Sequence, residues 1–381
     1  MTEIRRIRLN IREKNGCFQA LVSSDLQRDE LSIHINLDDD DLRGWNEELT
    51  DILTASTRKV KHMIDSEARI STKAGDSVCE EFRWLAERAA VCLVDIFGDQ
   101  GLELLRKLIG NAPKVILEIV SKSFVVPWEL LYDHYEPTRF DYENFWGFKY
   151  IIYRHIPPDD GRYVPSPEIE IGPAFVGVLA DPDLPSVANM ELPFLRTLEK
   201  ERLIKLLLPS KELYSTRRDR SLDTVKRFFE QDMHIIHFAC HTRPPSLRRK
   251  EPRDEYLLLL SKNVPLARSD LITRKMWFGD YPLVILNACG TSPRNPLKLC
   301  STVQTLLKRN ARGVVTTECV VPDAFAAAFT QQFYPLLLRG QELGSALFET
   351  RKALLKDPYH NPLGLLYALY AFPHTHYRTD S

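Results

Sequence analysis

An α/β fold, with a mostly parallel sheet covered by helices on both faces and a smaller α/β domain ahead of it, is what this sequence predicts. Short apolar runs without strict alternation, such as His234-Ile-Ile-His-Phe-Ala-Cys-His241 and Leu283-Val-Ile-Leu-Asn-Ala-Cys-Gly-Thr291, read as strands buried on both faces. Through the second half of the chain these runs alternate with stretches of helical spacing, which implies parallel strands joined by helical crossovers. Breaker residues cluster at Pro157-Pro158-Asp159-Asp160-Gly161 and Pro165-Ser166-Pro167, dividing the chain into residues 1–165 and 166–381.

The first part opens with alternation. Ile4, Ile7 and Leu9, then Phe18, Ala20 and Val22, flank Asn15-Gly16, a strong hairpin signal, and Ser32-Ile-His-Ile-Asn-Leu37 supplies a third strand. The acidic turn Asp38–Asp41 caps a helix from Leu42 to Met63, because carboxylates suit the positive end of a helix. From Asp76 to Leu108, Phe82, Leu85, Ala89 and Leu93 share a helical face, with a break near Gly98 and Gly101. Lys114–Val120 is a strand. The aromatic-rich segments Val126–Asp133 and Phe145–Arg154 carry enough apolar surface to be core or an internal interface.

In the second part Ala174–Ala180 reads as a strand, Glu191–Leu203 as a helix, and Leu206–Leu208 as a further strand. A helix over Leu222–Phe229, with Ser221 as N-cap, leads into the histidine strand. Tyr256–Ser261 is a strand, Ser269–Leu271 starts a short helix, and a helix over Leu297–Lys308 follows the cysteine strand. Arg312–Thr317 is a strand, Pro322–Leu338 and Leu343–Lys356 are helices, and Gly364–Tyr370 closes the sheet. No period of 20 to 50 residues repeats, so solenoids and propellers are excluded.

Composition excludes several classes. A hydrophobic content of 44% with 27% charge is ordinary for a globular protein, and no apolar run is long enough to cross a bilayer. The start, Met1-Thr-Glu-Ile-Arg-Arg6, lacks the apolar core of a secretory signal, so the cytoplasm is the expected location. A net charge of -1 argues against direct nucleic-acid binding, and the basic clusters at residues 217–220 and 248–250 read as solvated loops. Seven cysteines without a C-x-x-C pair make neither a disulfide framework nor a zinc ribbon.

The two apolar runs each end on a reactive residue, and in open α/β sheets sites lie just beyond the carboxyl ends of strands. His241 and Cys289 then sit side by side at one sheet edge. A thiol nucleophile needs an adjacent base, which a histidine supplies before protonating the leaving amine. In one subclass of cysteine peptidase the histidine precedes the cysteine by about 50 residues, and the cysteine lies in a Q-A-C-x-G context. Here the separation is 289 − 241 = 48 and the context is Asn287-Ala288-Cys289-Gly290-Thr291.

His237-Phe-Ala-Cys-His241 and Leu286-Asn-Ala-Cys-Gly-Thr291 carry a resemblance to the CHAT peptidases, relatives of caspases and separase. Gly313-Val-Val-Thr-Thr317, Val321-Pro-Asp-Ala-Phe-Ala326 and Phe333-Tyr-Pro-Leu-Leu-Leu-Arg-Gly340 extend it. It covers the chain from about residue 170 onward, and Pro127-Trp-Glu-Leu-Leu-Tyr132 and Phe145-Trp-Gly-Phe148 resemble the segment that commonly precedes the peptidase part. The resemblance implies a caspase-like sheet, Cys289 as nucleophile and His241 as general base and acid. It also implies an oxyanion hole made by the backbone N–H groups of Cys289 and of Thr242, where the family usually has glycine. A threonine keeps the N–H but resists positive φ. By the same resemblance Asn287 lines a substrate pocket, and Asp323 points a carboxylate into it, selecting a basic residue before the scissile bond. Against that, Asp323 also fits as a first-turn helix residue favoured by the dipole, since Pro322 suits the first helical position.

The expected protein is therefore a regulated cysteine endopeptidase that cleaves one or a few protein substrates in bacterial defence or programmed cell death, with an activating partner, no membrane and no cofactor. Residues 1–165 serve as a degenerate peptidase half or a regulatory docking domain. The alternative, which Thr242 favours, is an inactive pseudo-peptidase acting as a binding or scaffold module. Cys240, next to His241 but on the other side of the strand, reads as core. On a helix His234, His237 and His241 would share a face and suit a metal, but Ile235, Ile236 and Phe238 favour a strand, so no metal is expected and His237 satisfies a buried hydrogen bond. Neither G-x-x-x-x-G-K-[ST] nor G-x-G-x-x-G occurs, which leaves nucleotide chemistry without support.

Overall fold

The structure, a computed structural model, describes residues 4–379 except 15–16, 26, 36, 137, 158–167, 172, 216, 244–256, 262–263, 291–295, 357 and 373. Within its strands and helices, the side chains of residues 27–29, 72–74, 168, 170–171, 243, 288–290, 296–298 and 378–379 are likewise outside the described set. The turn at Asn15-Gly16, the division at residues 165 and 166, and the basic residues 248–250 thus lie outside the described residues.

The amino-terminal part forms β1 (Ile4–Lys14), β2 (Cys17–Ser24), β3 (Gln27–Ile35), α1 (Asp39–Lys61), α2 (Thr72–Ile109), β4 (Lys114–Val120), α3 (Trp146–Lys149) and β5 (Ile151–His155). Asp38 caps α1: its Oδ1 accepts the N–H groups of Asp40 and Asp41 at 2.9 Å each, while Asp41 takes the Asp38 N–H at 3.3 Å. Such a capping box stabilises a helix start by about 1 kcal/mol. α2 breaks where the sequence places a break: Gly98 has φ 62° and ψ 168°, a conformation open to glycine. Gly101 answers a second need, since a Cβ there would lie 2.7 Å from Ile33 Cγ2, and the helix could not then approach β3.

The remainder forms β6 (Glu168–Ile171), β7 (Ala174–Ala180), α4 (Leu192–Lys200), β8 (Ile204–Leu207), α5 (Arg218–Phe229), β9 (Ile235–Arg243), β10 (Leu257–Leu259) and β11 (Pro265–Ala267). After these come α6 (Arg268–Thr273), β12 (Leu283–Gly290), α7 (Pro296–Lys308), β13 (Gly313–Thr317), α8 (Asp323–Leu338), α9 (Leu343–Leu355), β14 (Tyr367–Ala371) and β15 (His376–Thr379). Three details depart from the sequence reading. α5 starts earlier than expected, so Ser221 lies inside it with its hydroxyl 3.4 Å from the Arg217 carbonyl, rather than capping it. Pro322 is the N-cap of α8, not its first residue. β6 and β15 pair in a small sheet of their own that the sequence reading did not anticipate.

One 13-stranded sheet holds the rest, in the order β11-β10-β9-β12-β13-β14-β5-β4-β1-β2-β3, with β7 also alongside β9 and β8 alongside β7. Two parallel groups make up its middle, flanked by the antiparallel pairs β10–β11 and β2–β3. β8, β7, β9, β12 and β13 run together, and β14, β5, β4 and β1 run together the other way, because β14 pairs antiparallel to β13. At the seam between β14 and β5 a single register pair joins Tyr370 to Arg154. The aromatic segments fill the core beside this seam: Trp128, Tyr132, Phe145, Trp146 and Phe148 are each 1% exposed or less, and the Trp128 and Trp146 rings stack at 6.2 Å. Among the described residues no helix is long and apolar enough to cross a membrane.

β5 ends on His155, whose ring centroid lies 4.2 Å from that of Phe372. Burial, with a smaller contribution from Arg8, pushes this imidazole down from 6.5 to about 4. Above pH 6.5 the ring is neutral folded or unfolded and stability is unaffected; between 6.5 and 4 the unfolded chain binds the proton more readily, so stability falls as pH falls. The loss is at most about 3 kcal/mol. Urea titrations across that range should show it, and His155→Phe should flatten it; a variant with the parent's pH profile would refute the assignment.

Candidate active site

β9 and β12 lie side by side and parallel, with Asn287 opposite Ala239, Cys289 opposite His241 and Gly290 opposite Thr242. Both strands are sealed on both faces by the residues that made them legible: Ile235, Ile236, Phe238 and Leu283 to Leu286 are 2% exposed or less. Adjacent strands run about 4.8 Å apart, so the register makes the Cys289 and His241 backbones direct neighbours at the carboxyl ends of two parallel strands. His241 is half-buried there. The Cys289 side chain lies outside the described residues.

Beside His241 the sheet forks. β7 follows β9 only as far as Ala180 opposite Ala239, where the Asp181 N–H donates to the Ala239 carbonyl at 2.9 Å. Beyond that point β10 takes over, with Leu259 opposite His241 and Leu258 opposite Thr242. Thr242 thus has strands on both sides and is 4% exposed. It is not among the positive-φ residues and keeps the backbone of the strand it belongs to.

Below these strand ends is a buried polar network. Glu191 ends a π-turn, Val187–Glu191, that precedes α4, and its Oε1 accepts His237 Nε2–H at 2.8 Å and Asn287 Nδ2–H at 2.5 Å, with the Thr330 hydroxyl at 2.6 Å. Tyr334 Oη lies 3.1 Å from His237 Nδ1, and Tyr367 Oη donates to Asn287 Oδ1 at 2.6 Å. Burial holds the Tyr334 hydroxyl well above its usual pKa. All six residues are 2% exposed or less.

The network also orients α8. Ala326 O and Thr330 meet Asn287, while Tyr334, two turns further on, meets His237, which lies two residues before the Asn287 level on β9. α8 therefore runs antiparallel to β9 and β12, and its first residue, the partly exposed Asp323, faces the strand ends. Asn287, read from the sequence as lining a substrate pocket, is 1% exposed with its amide taken up by protein groups. Cys240 is core at 1% exposed. His234 and His237 are engaged separately: His234 Nδ1 accepts the Phe175 N–H at 3.0 Å, and burial lowers its pKa. Among the described residues no cluster of His, Cys, Asp or Glu could hold a metal ion. Glu191 was missed by the sequence reading, which made it the start of a helix. The available signals were weak: a carboxylate followed directly by Leu192-Pro193-Phe194, and Thr330 directly after the apolar run Phe325–Phe329.

Comparison with known proteins adds the following. The family model described as CHAT domain matches residues 96–377. A protein described as a probable protease, from Vitiosangium sp. (strain GDMCC 1.1324), is 28% identical over 170 residues, covering 42% of this chain and 20% of that protein. Among solved structures, two crystal structures of the Saccharomyces cerevisiae separase–securin complex align over 100% and 98% of this chain and 30% of theirs, at 11% and 10% identity with TM-scores of 0.49 and 0.48. The chain thus spans under a third of each of these proteins.

Proposed function

The chain belongs to the CHAT-domain family, and we propose that it is a cysteine endopeptidase with Cys289 as nucleophile and His241 as general base and acid. The observation that carries this reading is the register that sets Cys289 opposite His241 at the carboxyl ends of β12 and β9. His241 takes the thiol proton as sulfur attacks the scissile carbonyl, then gives it to the leaving amine; water, deprotonated by the same imidazole, cleaves the thioester and releases the acid. The backbone N–H groups of Cys289 and Thr242 stabilise the oxyanion.

Thr242 carries a regulatory consequence. Thr242 is held between β10 and β12, so in this reading turnover requires an activating partner or the substrate itself to rearrange its backbone. The enzyme in this reading is a regulated cytoplasmic protease with one or a few protein substrates, acting in bacterial defence or programmed cell death, and residues 1–165 dock the activator or form a degenerate half. Asp323, at the end of α8 that faces the strand ends, selects a basic residue before the scissile bond. The same placement of Thr242 supports a second reading, a scaffold that keeps the fold without cleaving.

Peptidyl acyloxymethyl ketones carrying arginine, aspartate or leucine at the residue that reacts with the enzyme, followed by mass mapping, separate these readings. Capture at Cys289, fastest with arginine, is the expected result. Labelling there no faster than at the other cysteines supports the scaffold, and fastest capture by aspartate or leucine removes the role given to Asp323.

A further inference from the structure

We propose that Glu191 is a positioning residue for this centre, holding the end of β12 in place against β9 and α8. The inference rests on the peptidase reading above. One oxygen of Glu191 gathers groups from three separate elements: His237 on β9, Asn287 on β12 and Thr330 on α8. Asn287 precedes Cys289 by two residues, one strand repeat, and its amide is committed at both ends, Nδ2 to Glu191 and Oδ1 to Tyr367. All of these groups are sealed from water, so each bond that is lost leaves a buried polar atom unmet and the strand end free to shift. The Cys289 backbone takes its place from this anchored stretch. His241 takes its own from β9, on which His237 is held by the same carboxylate oxygen.

The bond pattern also fixes which substitutions matter. Every side-chain hydrogen bond of Glu191 to the described residues is made through Oε1, so glutamine, with an acceptor oxygen in that position, keeps the geometry, whereas alanine removes it. With the arginine acyloxymethyl ketone, Glu191→Ala and Asn287→Ser should lower the saturating rate of capture at Cys289 by about 10- to 100-fold, as expected for a displacement of about an ångström. The half-saturating concentration should move by less than about threefold, since binding surfaces are untouched. Glu191→Gln should restore most of the rate, which loss of folded protein alone would not predict. Melting curves identify a variant that fails to fold, in which case Asn287→Ser carries the test. Parent-like rates in folded Glu191→Ala and Asn287→Ser, or a loss confined to half-saturation, would overturn the inference while leaving the peptidase reading intact. A parent protein not captured at Cys289 overturns the peptidase reading itself, and this inference with it.

Discussion

Cys289→Ala and His241→Ala are each expected to lower cleavage of a protein substrate by at least about 10⁴-fold, because a nucleophile and its base act as one unit and removal of either forfeits the covalent route. The size of the effect separates chemistry from structure. Neither residue is in the middle of its strand: the Cys289 and His241 backbones lie opposite each other near the carboxyl ends of β12 and β9, beyond the sealed apolar stretch. Unfolding curves of both variants should therefore stay close to the parent's. Cys240→Ala is the matched control. That thiol is 1% exposed, so its loss costs packing, on the order of 1 kcal/mol, and leaves cleavage within about threefold of the parent. Substantial cleavage by Cys289→Ala would sink the assignment, and loss in all three variants alike would point to damaged folding instead of lost chemistry.

How far the sequence reveals this arrangement depends on what kind of information each feature needs. β9 and β12 are legible because strands buried on both faces are written as continuous Ile, Val, Leu and Phe, and their ends are legible because Cys289-Gly290 and His241-Thr242 interrupt that composition. Glu191 is not, since nothing local distinguishes a carboxylate that caps a helix from one that collects donors contributed by residues 237, 287 and 330. The fork beside His241 is equally hidden: that β9 exchanges β7 for β10 there depends on pairings between distant segments, and the three-residue β10 has no alternation to give it away. The reversal of direction between β13 and β14 has the same origin. Composition marks Tyr367–Ala371 as a strand, but direction follows from the path that α9 imposes on the chain before it.

The second large effect is expected at the seam between the two parallel groups, where Glu129→Ala should cost about 3–5 kcal/mol of stability. Glu129 is fully buried in the Pro127-Trp-Glu-Leu-Leu-Tyr132 segment and pairs with Arg154 of β5, which also donates to Glu318 at 2.5 Å and to Tyr370 Oη at 3.0 Å. Its other oxygen lies 3.4 Å from Arg351 of α9, whose guanidinium donates in turn to the Gly147 carbonyl at 3.2 Å and to the Tyr367 carbonyl. Two arginines and two glutamates balance, and none is more than 5% exposed. Removing one carboxylate strands a positive charge where water cannot reach it, and this penalty, rather than the worth of the lost contact, sets the magnitude. Burial already lowers the Arg351 guanidinium to about 10 despite Glu129 beside it, so the site has no slack for a further unpaired cation. Glu143→Ala supplies the contrast, because its ion pair with Lys352 is at the surface, with the Glu143 side chain 57% exposed, and should be worth under about 1 kcal/mol. Denaturant titrations of the two variants decide the matter: if Glu129→Ala costs no more than Glu143→Ala, the charges at the seam are hydrated and the burial argument fails. If the gap appears, the Trp128-Glu129 segment is what fastens β5 and α9 to β14, the strand whose Tyr367 hydroxyl reaches Asn287 beneath the candidate site.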